Sequence, residues 1–98
     1  MEVIITKSAN KSKKFDALVD GKKISFGAVG YSDYTIHKDP ERKERYIARH
    51  AKREDWDKSG VKTAGFYSRW ILWHMPTIEA SIADLNKKYK DIKFKYVK

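Results

Sequence analysis

Arg42, Arg45, Arg49 and Arg53 follow one another at intervals of three or four residues, with Lys52 beside the last. At 100° per residue the five cations fall within about 100° of arc on one helix. They are four of the five arginines in a chain where lysine outnumbers arginine more than three to one. A guanidinium is a planar fork that grips phosphate or carboxylate through two parallel bonds, so its concentration here favours recognition over solubility. Glu41, Glu44, Glu54 and Asp55 are the carboxylates close enough in sequence to neutralise part of the stripe, as surface helix pairs do. Three readings follow: a phosphate-binding face, a face for an acidic protein surface, or a solvated face.

The residue types that make and break bonds are poorly arranged. His37, His50 and His74 lack the close pairing of a helical metal site, and with no cysteine there is no thiolate to complete a tetrahedral set. Asp33, His37 and Asp39 are the one group close enough in sequence to suggest a metal, with capping or hydrogen bonding as the default role. Phosphodiester cleavage by His37 and Tyr34 has no recognisable spacing behind it, and no serine sits in a strand-turn-helix elbow. Gly27 and Gly30 do not have the spacing of a dinucleotide fingerprint. The expectation is a protein that is not an enzyme, with no catalytic residue, cofactor or metal. Tyr31 and Tyr34, in the same segment, are able to stack on unpaired bases, but tyrosines so placed more often cover the core between sheet and helix.

Charge supports a binding role. The 22 lysines and arginines against 13 acids give a net charge of +9, above the roughly 2 to 8 units that solubility calls for, which points to a polyanion or anionic surface. A chain of 98 residues is read as one domain, 1–98, and its 41% hydrophobic content is enough to build a core. The amino-terminal apolar run is too short for a signal peptide, no segment is long enough to cross a bilayer, and no cysteine is available for disulfides. An intracellular or packaged protein with no membrane partner is expected.

The elements that must carry these residues are readable from periodicity. Asp20-Gly21 has two-residue hairpin chemistry between alternating runs. Folding about it pairs Phe15 with Phe26, Ala17 with Ile24 and Val19 with Lys22 on one face, and Asp16 with Ser25 and Leu18 with Lys23 on the other. Val3–Lys7 reads as a preceding strand. Ile92, Phe94 and Tyr96 alternate with lysines as a last strand, whose lysines either meet a polyanion or protect an edge, the second being the preferred reading. Asp39-Pro40 starts a helix that runs to about Arg53, and residues 54–60 read as a loop. A second helix spans Ala64 to His74, central and tryptophan-rich, and Met75-Pro76 ends it. Thr77 caps a third with Ile78, Ile82, Leu85 and Tyr89 inward. The expected fold is α+β: a mainly antiparallel sheet of N-terminal strands plus a C-terminal strand, covered by three helices.

The run Phe26-Gly27, Gly30-Tyr31-Ser32-Asp33-Tyr34-Thr35, His37-Lys38-Asp39, Arg45-Tyr46, Arg49-His50, Lys62-Thr63-Ala64-Gly65-Phe66 and Trp70-Ile71-Leu72-Trp73 resembles a family of small basic uncharacterised proteins of phages and large DNA viruses. The likeness extends over about residues 13 to 89. It implies a viral source, hence an infected host cell or a virion, and carries no activity to transfer. The preferred function is sequence-tolerant association with DNA or RNA through Arg42, Arg45, Arg49, Lys52 and Arg53. The alternative is a virion structural or cementing protein whose charges meet acidic patches on coat subunits.

Overall fold

The computed structural model describes residues 1–97, apart from the side chain of Lys58. Strands β1 (Glu2–Lys7), β2 (Lys13–Val19), β3 (Lys22–Ala28) and β4 (Lys93–Val97) form one sheet in the order β3-β2-β1-β4. β1 and β3 pair antiparallel with β2, while β4 lies parallel to β1. The fold is α+β with a mostly antiparallel sheet, and every hairpin pair expected from the sequence is present. Asp20 at φ 49° and Gly21 at φ 80° both occupy the left-handed region that a type I′ turn demands.

Alternation then divides the sheet. Val3, Ile5, Ala17, Val19, Phe26 and Phe94 are buried on one face, whereas Lys23, Lys93 and Lys95 are exposed. Asp16 departs from this pattern, being buried among hydroxyls: Ser8 Oγ donates to it at 2.7 Å and Ser25 Oγ at 2.6 Å. Burial pushes the Asp16 carboxyl up, but the two serine hydroxyls and the charge of Lys23 outweigh it and hold it below its ordinary value. Edge strand β4 carries the exposed lysines, and Lys95 reaches Glu2 at 3.5 Å.

Among the described residues there are four helices, one more than the periodicity predicts, and the last two pack on the sheet. The additional one, α1 (Tyr34–His37), lies between β3 and the helix start expected at Asp39-Pro40. Asp33 caps it by accepting from the Thr35 amide, and Lys38 ends it at φ 55°. Asp39 and Pro40 then start α2 (Pro40–His50) as expected. This helix stops three residues early: residues 51–53 form a turn in which the Arg53 and Glu54 amides both fold back on the His50 carbonyl. A 3-10 turn, Lys58–Gly60, interrupts the loop that follows.

The third helix, α3, starts at Thr63, whose hydroxyl accepts from the Phe66 amide. It runs as α-helix over Ala64–Tyr67 and as a π-helix over Ser68–Leu72. The Trp73 amide bonds the Ser68 carbonyl five residues back, so the helix ends at Leu72 rather than His74. It is central, but not through its tryptophans. Phe66, Tyr67, Ile71 and Leu72 are its buried residues, while Trp70 and Trp73 are half-buried at its flank. The wider π turn rotates the residues after Ser68 away from a strict 3.6-residue face. Thr77 caps α4 (Ile78–Lys88), which buries Ile82 and Leu85. These side chains meet the sheet face in one apolar cluster.

Gly27 sets how closely α3 approaches the sheet. It stands at φ 78°, and a Cβ there would lie 2.8 Å from Leu72 Cδ1 and 3.2 Å from Lys14 Cβ. Gly27→Ala therefore meets both a left-handed backbone and a filled space. Denaturant unfolding is expected to show a loss of about 1–3 kcal/mol, whereas a neutral result would mean that the strand end relaxes freely.

Candidate nucleic-acid interface

Helix α2 carries the basic stripe yet has few apolar residues with which to dock. Tyr46 is its one buried side chain. The Tyr46 ring lies on Trp73 at 4.3 Å between centroids with the planes 2° apart, stacks with His50 at 4.4 Å, and faces Trp56 at 6.2 Å. Such ring pairs are worth about 0.5–1.5 kcal/mol beyond the area they bury. Burial, reinforced by Glu54, pushes the Tyr46 hydroxyl up to about 12, so it stays neutral at physiological pH. Trp56 is held in turn by its carbonyl, which accepts from Trp70 Nε1 at 2.7 Å.

Cations fill the gaps in this aromatic layer. Arg69 lies 4.4 Å from the Trp70 ring centroid and 5.5 Å from that of Trp56, and donates to the Trp73 carbonyl at 3.0 Å. Lys43 lies 5.0 Å from the Tyr34 ring and donates to the His74 carbonyl at 2.6 Å. Burial lowers both groups from their ordinary values, with Arg69 adding to the effect on Lys43. Lys88, at the end of α4, rests 3.8 Å from the Trp70 centroid, so its ammonium is engaged by a ring. Cation–π contacts of this kind contribute roughly 0.5–2 kcal/mol according to how far they are desolvated.

Docked in this way, α2 faces the end of β3 across a cleft of about 580 Å³. Arg42 and Arg49, two turns apart, line one wall, and Lys13, Lys14 and Tyr31 line the opposite side. The cleft also contains two carboxylates, and both are engaged. Asp33, at the α1 cap, is only 2% exposed; it receives Lys14 Nζ at 2.6 Å as well as the Thr35 amide and hydroxyl. Glu54 lies 3.9 Å from His50 Nδ1 and covers Gly65, where a Cβ would fall 1.8 Å from its Oε2.

All five predicted cations are exposed. The structure brings Arg42 and Arg49 together on the cleft wall, while Arg45, Lys52 and Arg53 do not line it. Lys52 and Arg53 stand in the turn beyond the helix end. Of the four carboxylates able to neutralise the stripe, Glu41 alone pairs with it among the described residues, at 3.9 Å from Arg45 with both side chains largely exposed. Asp55 instead accepts from the Asp57 amide and the Ser59 hydroxyl. Sequence reasoning missed Lys13, Lys14 and the position of Tyr31. This tyrosine does not cover the core; it is 74% exposed. The signal within reach was Asp33 followed by Thr35, a cap two residues after the tyrosine that directs the chain outward.

Asp33, His37 and Asp39 do not converge as ligands, and no group of three such side chains that could hold a metal is found among the described residues. His37 Nδ1 accepts from the Asp39 amide at 2.9 Å, and its buried Nε2 has no partner. His74 Nε2 meets Asp84 Oδ2 at 2.6 Å, leaving Nδ1 buried and unpartnered.

Both imidazoles are held below their ordinary value. For His37 the causes are burial and then Arg42, which outweigh Asp39 and Asp33. For His74, burial with Arg69 and Lys43 outweighs the bond and charge of Asp84. The unfolded chain therefore takes up these protons first, near pH 6.5, so their stabilisation is full above that pH and is lost as pH falls through the lower folded values. Unfolding free energy is expected to drop between pH 7 and pH 5, and less steeply in the double variant His37→Asn, His74→Gln; equal slopes would refute this origin. Lys14→Ala, which leaves Asp33 buried without its cation, is expected to cost about 3–5 kcal/mol, and Lys13→Ala within about 0.5 kcal/mol, both read from denaturant midpoints.

Among known proteins, a family of unknown function, DUF5754, matches residues 3–50, the span from β1 through α2. That span contains Lys13, Lys14, Tyr31, Arg42 and Arg49, and leaves out the Trp73 side of the cleft. The family's description names no activity, and nothing in it bears on the phage or viral source that the resemblance implies. No curated protein and no solved structure matches the chain.

Proposed function

We propose that this chain associates with nucleic acid with little regard to sequence and performs no chemistry on it. Helix α2 lies along the phosphate backbone, and Arg42, Arg45 and Arg49, with Lys52 and Arg53 in the following turn, supply the contacts. The observation that carries this reading is that the five cations are solvent-exposed, and that Arg42, Arg49, Lys52 and Arg53 have no ion pair with a carboxylate among the described residues. The acids that follow the helix, Glu54 and Asp55, have other partners and leave Arg49, Lys52 and Arg53 unscreened by them. Guanidinium groups also keep their charge at every physiological pH, as phosphate contact requires. Backbone contacts fix position without reading bases, which is why little sequence preference follows.

Neutralising phosphates releases condensed counterions, so affinity falls with salt in proportion to the number of contacts. Five contacts predict a slope of log affinity on log salt of roughly −4 to −5 on duplex DNA. The variant Arg42→Ala, Arg45→Ala, Arg49→Ala is expected to flatten that slope by about two to three units, measured by fluorescence anisotropy across a salt series. A slope near zero in the parent protein, or equal affinity for polyglutamate and for an oligonucleotide, would rule the reading out.

A further inference from the structure

Tyr31 separates two hollows of different character. On one side is the basic cleft, with Arg42 and Arg49 on its far wall. On the other is a hollow of about 370 Å³ lined by Val29, Gly30, Ile36 and the stem of Lys14. Val29 is 54% exposed, Tyr31 74% and Ile36 61%. Three large apolar side chains thus stand in water within a few residues of one another, and one of them, Tyr31, also lines the cleft that holds Arg42 and Arg49. The Tyr31 backbone is fixed even though its ring is in solvent: its amide donates to the Ala28 carbonyl and its carbonyl accepts from Lys14 Nζ. The neighbouring Val29 amide is bonded to the Ser12 carbonyl. An exposed aromatic ring on a fixed backbone loses little freedom when something stacks on it, which is the economy of tyrosine at binding surfaces.

We propose that this place receives an unpaired base, stacked on Tyr31 between the two hollows, while the phosphates on either side of it lie on Arg42 and Arg49. The ligand class is therefore single-stranded nucleic acid in preference to duplex. The inference rests on the phosphate-binding reading of α2 and makes it more specific. Two features point the same way. A duplex keeps its bases stacked internally, so a duplex can use the arginines but not the ring, whereas a single strand uses both. The cleft also falls within the range of about 300–1,000 Å³ typical of small-ligand sites, large enough for a base to enter. The exposed Tyr31 ring and the cations Arg42 and Arg49 line the same cleft, the combination of stacking platform and electrostatic track that sequence-tolerant single-strand binders use.

The test compares a labelled oligothymidine with a duplex of equal length by fluorescence anisotropy, using the full chain and its variants Tyr31→Ala and Tyr31→Phe. Because the Tyr31 ring is largely in solvent, the melting temperature is expected to be unchanged, and this is checked first. Tyr31→Ala is expected to weaken single-strand binding by about five- to 150-fold, the range for one stacked base, with duplex binding and the salt slope unaltered. Tyr31→Phe, which keeps the ring, is expected to restore binding. Equal loss on single strand and duplex, or no loss on either, overturns the inference while leaving a steep salt slope, and hence the phosphate reading, in place. Failure of the parent protein to bind either nucleic acid ends both.

Discussion

The stack of Tyr46 on Trp73 is the constraint from which the basic face follows. An eleven-residue helix with a single buried side chain cannot be held by aliphatic burial, and an isolated helix of that length is marginal in water. Parallel rings solve this in two ways. They supply a large contact area from one residue, and they fix the rotation of α2 about its axis. Once Tyr46 points at Trp73, residues four before and three after it, Arg42 and Arg49, share the neighbouring face and meet the cleft. Had α2 docked through a broad apolar stripe, the arginines would have been confined to a narrower arc facing away from the sheet.

The opposite wall depends on a second constraint, the buried pair of Lys14 and Asp33. Taking both charges out of water is costly, and the pair repays that only because each partner has further bonds: Asp33 to the Thr35 amide and hydroxyl, Lys14 to the Tyr31 carbonyl. The pair stabilises little relative to an apolar alternative of the same shape. What it does is specify, since a strand residue grips a helix cap nineteen positions away and so ties the segment between β3 and α1 to the start of β2. Tyr31 lies in that segment.

Much of this was legible in the residues alone. The Asp20-Gly21 turn set the hairpin register, because period-two alternation tolerates no slip of one position. Asp39-Pro40 and Thr77 marked two helix starts, since an oxygen cap leaves a local signature. What escaped was non-local or too short to have a period. One turn of helix at Tyr34–His37 has no repeat to detect. The π turn after Ser68 breaks the spacing that would have placed Trp70 and Trp73 among the buried residues. The parallel pairing of β4 with β1 joins strands at opposite ends of the chain, and no alternation within either reveals its direction. The stripe itself was readable, but which of its members meet a cleft was not, because Lys13, Lys14 and Tyr31 arrive from other elements.

The excess of positive charge acquires a structural explanation from where the acids are used. Asp33 and Asp39 cap helices, Asp55 holds a turn, Asp16 accepts from two serines, and Asp84 bonds His74. In each case a carboxylate satisfies a nearby donor instead of screening a distant arginine. The partly buried cations Lys43 and Arg69 are likewise accommodated by rings and carbonyls, without consuming an acid. Two of these acids, Asp16 and Asp33, are buried, and ring faces make partly buried positive charge tolerable.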